Sequence, residues 1–475
     1  MDVQLKRAYR QGYLGNAEAG YGTHERYLGR AFALRFTDNS RLTLFGGANN
    51  INDDNRPYND GDWGSALDVN GEKKRSMAGG EHFWESPDKT FRNTLKALLE
   101  NSRIDTETRT TSQTFLADGS TSYSRARDIA RNKETNVNVN DYWQFTKKWW
   151  VSGNVSFNHS SNHGNASSGY VSSLTDMLLT DTLSSRSSEQ YKEGHRNEVE
   201  VSSEATRKLA WGDEVAFEAK YRHVAAEHEL YGKNLTALRQ QPALSDYRQE
   251  YEKARQRDDL YSLKAKYTVP FLKGPAVSLS YNPKYRRATD HDNIFRLDRL
   301  NDWSASADKP LRLLPSMADM LASCIDTDNS YDYKDVATDH VIALDVSRQK
   351  YTEEGVQHNW DFNIPVTITH ERMEYQRGRI DTTGVRNYAV LNPRLSYESV
   401  WNGEANSFRA STSYLTSVAA FQQIMPFYDN RNPLRVQESN PHLKHSWIYN
   451  YCCPVKLLGS SDFWSDRFKL LSINI

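Results

Sequence analysis

Trp360-Asp-Phe-Asn-Ile-Pro-Val-Thr-Ile-Thr369 places its large apolar side chains at Trp360, Phe362, Ile364, Val366 and Ile368, and polar residues at 361, 363, 367 and 369. The same two-residue period recurs at Val277, Leu279, Tyr281 and Tyr285, interleaved with Ser278, Ser280, Asn282, Lys284 and Arg286. It recurs again at Val215, Phe217, Ala219 and Tyr221, interleaved with Glu218, Lys220 and Arg222. Successive side chains of a strand point to opposite faces, so each stretch has one apolar and one strongly polar face. A helix would scatter both classes around its surface. These are strands.

Outward from them a second regularity appears. Short polar connections stand at Thr37-Asp-Asn-Ser40, Ser86-Pro-Asp-Lys89, Thr146-Lys-Lys148, Ala210-Trp-Gly-Asp213, Leu272-Lys-Gly-Pro275, Thr352-Glu-Glu-Gly355 and Asn402-Gly-Glu-Ala405. Each lies between two alternating runs, as in a hairpin. With a further pair around Tyr9 to Gly12 they predict about sixteen strands. Between hairpins run long polar stretches, 49–79, 159–197, 227–259 and 288–339, which are expected to be loops. Soluble β-folds seldom need such connections after every second strand. A transmembrane β-barrel has this layout, with short turns on one side and long loops on the other.

The composition fits that layout. The chain has 475 residues, of which only 37% are hydrophobic, and its mean hydropathy is -0.79. A barrel needs an apolar residue only at alternate positions, and a hydropathy window averages both faces. The 27 Tyr and 11 Trp argue against disorder and suit the girdles at the two membrane surfaces. Tyr221, Tyr267, Tyr281 and Trp149 are placed for that role, although core aromatics of a soluble β-protein would follow the same pattern. A net charge of -1 gives no electrostatic reason to expect nucleic acid as a partner. No apolar run is long enough for a membrane-spanning helix. A strand edge facing lipid is costly, so the sheet is expected to close on itself or to be completed by further strands.

Several segments resemble a known family. They are Leu5-Lys6, Gly15-Asn-Ala-Glu-Ala-Gly-Tyr-Gly-Thr23, Arg26-Tyr-Leu-Gly-Arg30, Asn49-Asn-Ile-Asn-Asp53, Ile368-Thr-His-Glu-Arg-Met373, Tyr375-Gln-Arg-Gly378, Tyr414-Leu-Thr416, Met425-Pro426, Asn432-Pro-Leu434 and Asn440-Pro-His-Leu-Lys444. In this order they are similar to the barrel of TonB-dependent outer-membrane receptors of the Bacteroidetes type. The resemblance implies a 22-stranded barrel enclosing an N-terminal plug, coupled to the TonB energy system and located in the cell outer membrane. Against that pattern the chain starts at the barrel, without the plug, and Met1-Asp-Val-Gln-Leu-Lys-Arg7 carries no apolar signal core. Residues 1–448 thus read as a partial barrel, and 449–475, with adjacent Cys452 and Cys453, as an atypical tail.

No catalytic signature emerges. In Gly20-Tyr-Gly-Thr-His-Glu25 a glutamate replaces the third glycine of a dinucleotide fingerprint. His370-Glu371 lacks a second histidine at helical spacing. Cys324, Cys452 and Cys453 make no metal or disulfide pattern. Asp326-Thr-Asp-Asn-Ser-Tyr-Asp332 begins like a calcium loop but has neither the sixth-position glycine nor the twelfth-position glutamate. Asp53-Asp54 with Asp60-Gly-Asp62 is a second acidic loop. No cofactor is expected, and no enzyme activity. The candidate functional residues are instead those of the polar face: Glu200, Glu218, Lys220, Arg222, Lys264, Lys284 and Arg286, expected to line a lumen. The favoured expectation is the barrel portion of a transporter that imports a scarce nutrient, with membrane lipid, plug, TonB system and the nutrient as partners. A passive structural or adhesive barrel, a truncated remnant, and a secreted soluble β-protein are the alternatives.

Overall fold

The computed structural model describes residues 11–57, 63, 71–174, 179, 182–271, 274–401, 406–424, 428–429, 437–438, 440, 442–452, 455–456 and 467–472. Strands β1 (Gly12–Tyr21), β2 (Tyr27–Phe36), β3 (Ser40–Asn49) and β4 (Glu72–Glu85) open an antiparallel meander. It continues through β5 (Phe91–Phe115), β6 (Thr121–Thr146), β7 (Trp150–Ser173), β8 (Thr182–Lys208) and β9 (Glu214–Leu238). Then come β10 (Asp246–Pro270), β11 (Ala276–Arg296), β12 (Tyr331–Tyr351) and β13 (Gln357–Arg377). β14 (Ile380–Leu391), β15 (Arg394–Trp401), β16 (Asn406–Ser417) and the segments Ser446–Cys452, Val455–Lys456 and Arg467–Ser472 complete one sheet of 19 segments.

Two pairs of those segments are single strands with an interruption. β14 and β15 pair with β13 in one continuous register, Val366↔Leu391 above and Asn363↔Arg394 below. The break falls where Pro393 follows Asn392, opposite Pro365, and proline has no N–H to give the ladder. Ser446–Cys452 and Val455–Lys456 likewise share one register on β16. Among the described residues the sheet therefore has seventeen strands, one more than the hairpin count suggested. β1 pairs only with β2, and Arg467–Ser472 only with Ser446–Cys452, so each presents one edge without a partner among the described residues.

Short turns close one rim where expected. Gly212 (φ 99°) and Gly355 (φ 78°) occupy the left-handed region that two of these turns demand. At the Thr37–Ser40 turn the Thr37 N–H donates to the Ser40 carbonyl at 2.8 Å. The Asn402–Ala405 connection, Asp60–Asp62 and most of the segment 425–441 lie outside the described residues.

On the other rim, two of the four stretches expected to be long loops are mostly strand. β7 runs on to Ser173 and β8 starts at Thr182; β9 runs to Leu238 and β10 starts at Asp246. Most of 159–197 and 227–259 is thus hairpin, and β5 and β6, of 25 and 26 residues, end in a tight turn. A strand needs only about 9–11 residues to cross a bilayer. In a barrel the remainder of such strands would stand clear of the bilayer, with water on both faces and no need for alternation. Of the 288–339 stretch, 297–330 is irregular and holds the short helix Ala318–Ser323.

The sheet is arranged inside out relative to a soluble protein. Leu279 is 59% exposed, while the serines on either side of it, Ser278 and Ser280, are only 5% and 6% exposed. Leu44, Phe217, Leu263, Ile342 and Ile368 are exposed on the same apolar face. Side chains splay apart on the convex side of a curved sheet and crowd on the concave side, so the polar face is the concave one. The chain is all-β, with the layout of an outer-membrane barrel: apolar outside, polar inside, short turns on one rim and long hairpins on the other.

Candidate functional site

Strand alternation puts all seven predicted polar-face residues on the concave side, and register decides their partners. Lys220 Nζ meets Glu200 at 2.9 Å, Lys264 Nζ meets Glu218 at 2.9 Å, and Arg222 Nε donates to Glu198 at 2.6 Å. Lys284 is opposite Ser262 on β10 and Asp339 on β12. These cross-strand ion pairs are half exposed, so each contributes under about 1 kcal/mol. Their combined effect is a hydrated wall without a strong field of either sign.

Arg286 belongs to a denser group. Its guanidinium lies 2.6 Å from Asp335 and 3.4 Å from Glu371, and Glu371 accepts from Arg386 Nε at 2.5 Å. Asp335 and Glu371 are each 3% exposed. A charge so buried is tolerated only with close partners, and here two arginines face two carboxylates. The segment Phe421–Ile424 covers the group from the concave side. Phe421 packs with Tyr333, Met373 and Tyr375, and the Arg386 guanidinium lies 4.2 Å from the Phe421 ring centroid while donating to the Ala419 carbonyl. Gly384 leaves the space for this: a Cβ there would stand 3.0 Å from the Phe421 ring.

A second concave-face group lies near the start of the chain. Arg30 bridges Glu18 at 2.6 Å and Asp53 at 3.1 Å, with Trp63 stacked on it; Arg75 holds Glu100 at 2.9 Å, and Lys73 holds Asp54 at 2.6 Å. Asp53 and Asp54 are thereby engaged with cations. Asp326 accepts from Asn329 within its own turn, and Asp332 is bonded to His291. Among the described residues, no three His, Cys, Asp or Glu side chains converge as metal ligands. His370 faces outward to Asn387 at 2.6 Å while Glu371 faces inward, since neighbours on a strand diverge.

The convex face also carries a built feature. Tyr191, Tyr231, Tyr251 and Phe295 form a ladder across β8 to β11, with centroids 6.1, 4.9 and 5.6 Å apart. Leu297, Trp303 and Cys324 of the segment 297–330 bury themselves against it. Burial, reinforced by a hydrogen bond to Glu229, pushes the Tyr231 hydroxyl up to about 12. This loop is therefore fixed to the wall by its own small core, and Cys324 fills that core rather than serving as a ligand.

Sequence reading missed Asp335, Glu371 and Arg386 as a group, and the tyrosine ladder entirely. The alternation does put Glu371 opposite in phase to Ile368 and Met373 in phase with Glu371, but only cross-strand register brings residues so distant in sequence together.

No protein-family model matches the chain, and no curated protein does. Among solved structures, FpvA of P. aeruginosa, bound to a heterologous pyoverdine and iron, aligns over 93% of this chain and 65% of its own, with 10% identity and a TM-score of 0.33. The outer membrane transporter YddB from Escherichia coli aligns over 94% of this chain and 75% of its own, with 9% identity and a TM-score of 0.20. This chain spans about two thirds of the length of FpvA. At such scores the overlays carry no argument, and the functional reading stands on the chain's own residues.

Proposed function

We propose that this chain is the wall of an outer-membrane receptor that imports a scarce nutrient with TonB-coupled energy, as the resemblance in its sequence implies. The observation that carries the reading is the inside-out sheet: a continuous exposed apolar face opposite a charge-paired concave one. In water the apolar belt would associate or aggregate. In a bilayer it is satisfied, and the concave face becomes a wet lumen wall. The paired charges of that wall suit contact with a plug domain, because ion pairs can exchange partners as a polar surface moves past them. The long hairpins would meet solute first. No covalent chemistry is assigned to any residue.

Two measurements test this. On a density gradient the full-length product should band with outer membranes, and a product that stays in the soluble fraction without detergent would refute the membrane assignment. Deletion of the gene should abolish uptake of one nutrient supplied at limiting concentration. If that uptake survives collapse of the proton gradient, the barrel is passive and the energy-coupled reading fails.

A further inference from the structure

Above the apolar belt, the convex face changes character in an ordered way. Tyr221, Tyr261 and Tyr285 form a row across β9, β10 and β11, with centroids 4.8 and 6.2 Å apart. Leu263 and Leu279, both exposed, lie on the turn side of that row. On its other side the same face carries His223, Arg255, Arg257, Arg287 and His291 around an open groove of about 420 Å³. Strand parity is unbroken through these positions, so the groove lies on the surface that continues the apolar belt.

Charge pairing in the groove is uneven. Arg255 is held by Glu227 at 3.2 Å, and His223 by Asp259 at 2.7 Å. Asp259, the carboxylate bordering the groove, also accepts from the Tyr221 hydroxyl at 3.3 Å. On the neighbouring strands Lys334 and Arg372 share Glu374 at 2.9 and 3.2 Å. Arg257 and Arg287 depart from this pattern: both are exposed, and neither has a hydrogen-bond or ion-pair partner among the described residues. Arg257 is opposite Thr289, and Arg287 is opposite Asp259, two residues on from Arg257 on the same face. The two arginines are therefore diagonal neighbours about 7–8 Å apart at Cα, with the Asp259 carboxylate, held by His223 and Tyr221, at the corner between them. Two guanidinium forks at that separation match the oxygens of one phosphate group placed between them.

We propose that this groove binds the phosphate of an anionic lipid headgroup, with the Tyr221–Tyr261–Tyr285 row marking the membrane surface beneath it. The inference rests on the membrane reading above and adds a site to it. Its occupant is a lipid rather than a free phosphate because the groove opens directly onto the apolar wall. Acyl chains can run down past Tyr261 and Leu263 while the headgroup stays on the arginines. The tyrosine row, amphipathic and at the boundary, supplies the interface that such a lipid spans.

The test uses the full chain in phosphatidylcholine bilayers containing trace spin-labelled phosphatidylglycerol or spin-labelled phosphatidylcholine, reading the motionally restricted fraction of each. Wild type should hold the phosphatidylglycerol roughly tenfold more strongly, the equivalent of about 1.4 kcal/mol, and Arg257→Ala/Arg287→Ala should lose that preference. Arg257→Lys/Arg287→Lys, which keeps the charge, should restore part of it. Arg287→Ala alone should weaken it, a second measure should the double variant misfold. Equal retention of both lipids by wild type, or an unchanged preference in the alanine variants, overturns the proposal. So does displacement of the charged lipid by millimolar inorganic phosphate, which would make this a free-anion site. Failure of the wild-type chain to co-float with phosphatidylcholine vesicles would instead sink the membrane reading, and this inference with it. Normal flotation without lipid preference sinks the inference alone.

Discussion

Leu279→Arg separates a wall that faces lipid from one that faces water. Leu279 stands four residues above Pro275 on the short-turn rim and six below Tyr285 in the aromatic row. At about 3.3 Å per residue and a tilt of roughly 40°, those ten residues rise about 25 Å, the height of a barrel's apolar band. Leu279 then lies roughly 10 Å above the turns, close to the bilayer midplane, where an arginine costs about 2–4 kcal/mol. A side chain already 59% exposed has few packing contacts to lose, so in water the same change should fall within about 0.5 kcal/mol. Phe115→Arg is the internal control. Phe115 is 78% exposed at the end of β5, far beyond the bilayer, and its replacement should be nearly neutral in either setting. Urea titration of the chain folded into phospholipid vesicles, followed by tryptophan fluorescence, gives both values. The expected difference is about 3 kcal/mol, a factor of over a hundred in the folding equilibrium. If the two substitutions cost the same, Leu279 does not face lipid and the assignment of faces is wrong.

Glu371→Gln removes the carboxylate partner of Arg386, whose side chain is 19% exposed, while Arg286, 44% exposed, keeps Asp335; a loss of about 1–3 kcal/mol is expected in the same urea assay, and a loss below about 0.5 kcal/mol would show the group to be hydrated. Gly384→Val should displace Phe421 with little effect on the ladder, because the new Cβ would stand 3.0 Å from that ring. Limited proteolysis would show it as faster cleavage within 418–424, and an unchanged rate would mean that the segment does not rest there. His228, on the long-hairpin side of the aromatic row, is held above its ordinary value chiefly by its hydrogen bond to Glu252, with the charge of Glu252 adding and burial opposing. A raised folded-state value means that this pair's stabilisation is fully present below about pH 6.5 and is lost as pH rises through the folded value. Imidazole titration by NMR should show the raised midpoint return toward normal in Glu252→Gln, and an unshifted midpoint in wild type would refute the pairing.

The legible and illegible parts of this molecule divide along one physical line. The decapeptide at Trp360 reveals its strand because one of its faces is held apolar, and the same constraint makes the short-turn rim readable from Thr37 to Gly355. Beyond the aromatic row the constraint ends. Residues such as His163, Ser167, Glu193 and Arg255 remain in the ladder while both faces are polar, so 159–197 and 227–259 read as loop although they are mostly strand. Period-two alternation reports a difference between the environments of the two faces, and a strand surrounded by water has none. The seven polar-face residues are legible as a set because parity alone places them. Their partners, and the buried group at Glu371, are illegible because they depend on register between strands.

That division also bears on which residues are free to specify a ligand. Between the short turns and the aromatic row each strand must satisfy two solvents at once, and charges on the concave side are mostly committed to one another, as Lys220 is to Glu200 and Lys264 to Glu218. The apolar face there cannot take a charge without a cost of about 2–4 kcal/mol at mid-height, whereas each half-exposed pair on the other face contributes under about 1 kcal/mol. Above the row the ladder needs only backbone hydrogen bonds, so side chains on both faces can vary at little cost, within about 0.5 kcal/mol each. The exceptions are places where the chain has built packing above the membrane: the Tyr191 to Phe295 ladder under the loop 297–330, and Phe421 over Met373. Those two anchors fix the loops against the wall, one on the convex side and one on the concave. On the proposed receptor reading, ligand specificity would belong to the concave surface between the Phe421 segment and the tips of the hairpins, where structure is maintained but side-chain identity is not dictated by it.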